Sequence, residues 1–203
     1  MSQPAQQTRR EPTAERLARM QGVIIPHSLK CIEQATEALE LERRYGVFEL
    51  ATLTIDNAPE ESWPRLFLSA YTQPVISVGV LRCRYLLEFL GIKTTGAPPV
   101  LKAIERRRNG DIGIEHFTSE SGARLSRVTP AEAASVFRAR VSTPRAWATV
   151  IEVANQRLAH PTDDFKLSGT GSVNTQLGTT FATIPKLLFV KFYDALGVNR
   201  PRI

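Results

Sequence analysis

The stretch ANQRLAHPT (154–162) places an asparagine, Asn155, and a histidine, His160, on one segment, and Pro161 stops that segment directly after the imidazole. A histidine at a helix C-terminus faces the negative end of the dipole, which favours the imidazolium and lets the ring hold a proton near neutral pH. Such a group could do general acid–base work; its simpler role is to stabilise the last carbonyls of the helix. Asn155 falls on the flank of the apolar stripe beside Ile151 and Leu158, where its amide would be partly buried and hydrogen-bonded. Five residues turn a helix by about 500°, so the two side chains stand roughly 140° apart unless the helix unwinds at Pro161.

Arg82 is the second candidate, within the apolar stretch LRCRYLLEFLG. Ser77, Arg84 and Glu88 share one side of a helix, while Arg82 is in register with Val75, Val78, Tyr85 and Phe89. An arginine among core-facing positions cannot shed its charge, so it must find an anion or several carbonyl oxygens. An ion pair tying two helices meets that need, and so does an anion held in a cleft.

The densest positive cluster is Arg106, Arg107 and Arg108, closing VLKAIERRRNGD before Asn109-Gly110. Read as the last turn of a short helix, these arginines complement the macrodipole. They are also the patch expected to meet phosphate if the chain binds nucleic acid.

Other groups carry less. His27, His116 and His160 are far apart, and neither they nor Cys31 and Cys83 show metal-ligand spacing, so no metal and no cofactor is expected. Both cysteines sit among apolar neighbours and read as buried, reduced thiols. GTGS (169–172) lacks the lysine and the strand-to-helix context of a phosphate loop. No G-x-S-x-G elbow exposes a nucleophilic serine.

The elements that must position these residues read as helices. Leu29, Ile32, Ala35 and Leu39 recur at helical spacing after Pro26, with Ser28 as cap, and VFELATLTI (47–55) continues as a second apolar helical segment rich in β-branched residues. A central helix follows ESWPRLFLSAYTQPVISVGVLRCRYLLEFLG, with Ser62 capping, Pro74 bending the middle and Gly91 closing the end. IKTTGAPP reads as a loop, and DIGIEHF as a loop or a short extended piece. Thr129, Pro130 and Glu132 form a capping box. Thr143 and Pro144 start the helix that carries Trp147, Val150, Ile151, Ala154 and Leu158. A Gly-, Ser- and Thr-rich loop is expected over 163–180, then a last amphipathic helix, PKLLFVKFYDALG, closed by Gly197. The fold class is therefore all-α: a single bundle of five to seven helices over 23–203, preceded by a flexible, disordered or loosely helical basic arm over 1–22.

Composition bounds the rest. The chain has 203 residues, 42% hydrophobic, enough for one domain of ordinary size. No run is long and apolar enough for a membrane span and no leader peptide is evident, so a cytoplasmic location is expected. A net charge of +6 and a pI of 9.7 favour anionic partners, nucleic acid above all.

The arrangement resembles the HEPN superfamily of small all-helical domains. The likeness rests on three pieces spanning roughly 28–165: the central helix with an arginine before an aromatic-rich end (LRCRYLLEFLG), the basic segment after it, and the helix ending ANQRLAHPT. HEPN ribonucleases are helical bundles that dimerise; an arginine binds phosphate and a histidine four to six residues later acts as acid or base on the ribose hydroxyl. Here Asn155 stands five residues before His160, where that arginine would be, and Arg157 stands three before it. The resemblance with a degenerate motif implies a noncatalytic, self-associating module that binds RNA or a protein partner, in a bacterial stress or defence setting. Two alternatives stay open: a metal-independent ribonuclease with His160 as acid/base and Arg82 or Arg157 on the phosphate, and an assembly protein that binds no nucleic acid.

Overall fold

A computed structural model describes residues 11–54, 56, 64–138, 142–155 and 172–202. Helices dominate. Thr13 accepts the Arg16 N–H and starts α1 (Ala14–Arg19), which runs through a π-turn (Met20–Ile24) into α2 (Ile25–Tyr45). Helix therefore begins inside the stretch read as an arm. Pro26 has no N–H to give the preceding turn, and the wider π-turn sits just before it. Ser28 is not a cap: its hydroxyl is buried and donates to the Ile24 carbonyl at 2.7 Å.

The chain is not purely all-α, because two small antiparallel sheets interrupt it. Gly46, at φ 89°, ends α2. The segment expected to continue as helix instead gives β1 (Leu50–Ala51), paired with β2 (Leu66–Phe67). The β-branched content of that segment was the sign. The central helix α3 (Leu68–Leu90) starts after β2, and the Ser62 cap lies outside the described residues. Pro74 is inside α3, and Gly91 caps it in the left-handed region, its N–H shared by the Leu87 and Glu88 carbonyls.

Where a loop and a short helix were expected, β3 (Ile92–Thr95) and β4 (Val100–Ala103) form a hairpin, with Lys93 opposite Lys102. VLKA has ordinary helix propensity, but pairing with IKTT outweighs it. The Thr129 box starts α4 (Pro130–Ser135) as read, with the Glu132 N–H donating to Thr129 Oγ1 at 3.2 Å and the Thr129 N–H to Glu132 Oε2 at 2.8 Å. Next comes α5 (Ser142–Val153), with Thr143 buried within it. The long loop expected to reach Thr180 gives way to α6 (Val173–Leu188), which buries Leu177, Phe181, Ile184 and Leu188. A π-turn (Phe189–Tyr193) leads into α7 (Asp194–Leu196), closed by left-handed Gly197.

The core lies where α2, α3, α5 and α6 pack together. At its crossing point a Cβ on Gly79 of α3 would fall 2.3 Å from Ala35 Cβ of α2, so the two helices approach to backbone distance. Phe89, Phe117 and Phe192 form an edge-to-face trio with centroids 4.9 to 5.8 Å apart. Trp147 is fully buried and donates to Thr183 Oγ1 at 2.9 Å. Both thiols are free and buried, and burial raises the Cys83 pKa well above the ordinary thiol range.

Candidate nucleic-acid interface

The end of α3 organises the charged part of the molecule. A helix leaves its last carbonyls without intrahelical partners. Here the Glu88 and Phe89 carbonyls accept from Arg107 Nη1 and Nη2 at 2.7 and 2.8 Å. The same guanidinium grips Glu115, through Nε at 2.8 Å and Nη2 at 3.1 Å. Arg127 approaches from the other side, donating from Nε to Glu115 Oε1 at 2.7 Å and from Nη1 to the Ile104 and Glu105 carbonyls. One carboxylate thus holds two guanidiniums, and both guanidiniums pin backbone.

Burial alone would push the Glu115 carboxyl up, but Arg107, its own backbone N–H and Arg127 outweigh it and hold the pKa at about 2. The Arg107 side chain is 5% exposed. Gly113 lies flat against it, and a Cβ there would sit 2.0 Å from Nη2. In the 3₁₀ turn Ile114–His116, His116 Nδ1 lies 3.0 Å from the Gly113 N and 3.2 Å from the Gly113 carbonyl oxygen, so the ring folds back on the start of its own turn.

Two clefts flank the turn at Gly110–Asp111. The first, about 420 Å³, is bordered by Arg16, Arg19, Tyr85 and Glu88. The second, about 340 Å³, is bordered by Glu11, Arg108, His116 and Arg124. Arg107 forms a wall of both. Arg16 donates from Nη2 to the Gly110 carbonyl at 3.0 Å, tying α1 to the turn. Arg124 meets Glu11 at 3.3 Å, both side chains exposed. Arg16, Arg19, Arg106 and Arg108 are exposed and, among the described residues, form no ion pair.

The sequence-derived candidates divide. Arg106, Arg107 and Arg108 do not end a helix; they follow β4 in irregular chain. Arg107 turns inward to the carboxylate, while Arg106 and Arg108 face out. Arg82 is not core-facing. Val78 at 41% and Leu81 at 42% exposure mark its flank as an outer one, and the inward positions of α3 are Ile76, Val80, Cys83 and Leu87. Apolar residues cover so much of α3 that hydrophobicity could not pick the inward face. Arg82 is half-buried beside Tyr85, whose hydroxyl pKa burial raises and Arg82 lowers, so its charge is felt at the first cleft. Asn155 borders a separate cavity of about 240 Å³ with Thr94, Ala97 and Glu152. Arg82 is not part of that lining, and His160 and Arg157 lie outside the described residues.

Sequence reading missed Arg16, Arg19 and Arg124 as companions of Arg108, and Glu115 as the carboxylate that holds Arg107 and Arg127. The only signal was the count of arginines in the arm. Nothing local links α1 to a turn more than ninety residues away. No described helix is long and apolar enough to cross a membrane, and no group of three His, Cys, Asp or Glu among the described residues could hold a metal ion. No family model, no curated protein and no solved structure matches the chain.

Proposed function

We propose that this chain is a noncatalytic, HEPN-like helical module that binds RNA, with the phosphate backbone lying along the two clefts beside Gly110–Asp111. One observation carries the reading: guanidiniums of two kinds meet there. Arg107 and Arg127 are spent on Glu115 and on carbonyls, and they make a rigid wall. Arg16, Arg19 and Arg108 stand exposed around that wall with no carboxylate of their own among the described residues, which is the arrangement that exchanges counterions for phosphates. Arg106 extends the same positive face. The charges argue for a polyanion, and the choice of RNA comes from the HEPN-like resemblance. Nothing in the described residues favours the ribonuclease alternative, because Arg82 is not among the residues that line the cavity bordered by Asn155.

Anisotropy titration of a labelled single-stranded RNA tests the proposal. Wild type binds at low salt and the Arg16→Ala/Arg19→Ala/Arg108→Ala variant binds far more weakly, while RNA incubated with the protein in EDTA stays intact. Equal binding by the folded triple variant, or no binding by wild type at low salt, would overturn it.

A further inference from the structure

The second cleft beside Gly110–Asp111 already holds a carboxylate. Glu11 borders it together with Arg108, His116 and Arg124, and Glu11 Oε2 accepts from Arg124 Nη2 at 3.3 Å. Four arginines line this cleft among the described residues, and two of them, Arg107 and Arg127, are engaged by Glu115 and by backbone carbonyls. Only Arg108 and Arg124 are left to meet an incoming anion. One of those two is therefore occupied before any ligand arrives.

The segment that carries Glu11 is docked. Pro12 disfavours a helical backbone at Glu11, so the helix starts only after Thr13, whose Oγ1 accepts the Arg16 N–H at 3.3 Å. Arg16 in turn donates from Nη2 to the Gly110 carbonyl at 3.0 Å and fixes α1 over the turn that both clefts share. Residues 11–19 thus present two guanidiniums, Arg16 and Arg19, to the first cleft and one carboxylate to the second. The sign changes within five residues of one chain segment.

The two ion pairs of this cleft differ in kind. Arg107 grips Glu115 through two nitrogens, and its side chain is 5% exposed. Arg124 meets Glu11 through one nitrogen, with side chains 65% and 68% exposed. An exposed single-point pair is screened by water and salt and contributes little to folding. It holds the guanidinium when nothing stronger is present, and it can be displaced without disturbing the wall behind it. A nucleic-acid strand supplies what displacement needs, because neighbouring phosphates engage Arg16, Arg19 and Arg108 while one of them contends for Arg124. A lone anion has no such help.

We propose that Glu11 is an autoinhibitory stand-in for phosphate, holding Arg124 until a polyanion displaces it. The inference rests on the RNA reading of the two clefts and adds a regulation of that site. Anisotropy titrations of the full chain with a labelled single-stranded RNA at low salt test it as a double-mutant cycle. Glu11→Gln tightens binding about fivefold, the upper end of what an exposed pair is worth. Glu15→Gln removes another exposed carboxylate, from α1, and measures the general effect of one charge; its gain is smaller. In the Arg124→Ala background, Glu11→Gln gains no more than Glu15→Gln does. Equal gains from Glu11→Gln and Glu15→Gln in the wild-type background, or a Glu11→Gln gain that survives without Arg124, overturn the proposal and leave the RNA reading standing. Absence of binding by every variant overturns both.

Discussion

Arg107 and Glu115 meet at 2.8 Å over the last turn of α3, and the same guanidinium caps two carbonyls of that turn. The pair is a scaffold rather than a binding surface. Removing one partner strands the other in a poorly solvated site, which costs far more than the net value of an exposed pair. Glu115→Gln keeps the shape and removes the carboxylate charge that the two guanidiniums share. Its expected cost is about 3 kcal/mol, against ~0.5 kcal/mol or less for Arg106→Ala on the exposed face. Urea midpoints at neutral pH make the comparison. Equal costs for the two variants would mean that the cluster contributes nothing to folding.

The same carboxylate sets an acid limit. Its folded pKa is about 2, below the ordinary 4.5, so the folded state binds its proton less readily than the unfolded chain does. The stabilisation it gives is complete above the unfolded value and drains away as pH falls from about 4.5 towards 2. The stability gap between wild type and Glu115→Gln should therefore be constant from pH 7 down to about 5, then narrow. A gap that widens with acid would reverse the sign and remove Glu115 as the cause.

What the sequence made legible was whatever local chemistry decides. Thr129 with Glu132, Gly91 and Gly197 each fix a helix end through hydrogen bonds within a few residues, and each lies where it was read. Pairing across distance was not legible. VLKA reads as helix by propensity and becomes β4 because IKTT lies beside it. The start of α6, VNTQLGTT, reads as loop by its Thr and Gly content, and becomes helix because Leu177, with Phe181 just after it, reaches the core. The inward arginine was sought on α3 and found at Arg107. A guanidinium follows its carboxylate, and Glu115 is set by a 3₁₀ turn that periodicity does not show.

Gly79 is the tightest point of the core. Alanine is the better helix former by about 1 kcal/mol, yet here its methyl would fall 2.3 Å from Ala35 Cβ and force α2 and α3 apart. Overpacking of this kind typically costs ~1–3 kcal/mol, so Gly79→Ala should be destabilising on balance. Adding Ala35→Gly reopens the space and should recover most of the loss, a coupling that thermal melts of the two single variants and the double variant resolve. Additive effects would show that the helices do not touch there.

The final prediction separates phosphate contact from mere positive charge. Each phosphate neutralised on a single strand contributes roughly 0.7 to the slope of log K against log salt. If Arg16, Arg19 and Arg108 each hold one, the triple alanine variant should lower that slope by about 2, and Arg108→Lys should leave it unchanged because the charge stays. Measured between low and moderate salt, a triple variant with reduced affinity but an unaltered slope would mean that these arginines shape the groove without touching phosphate.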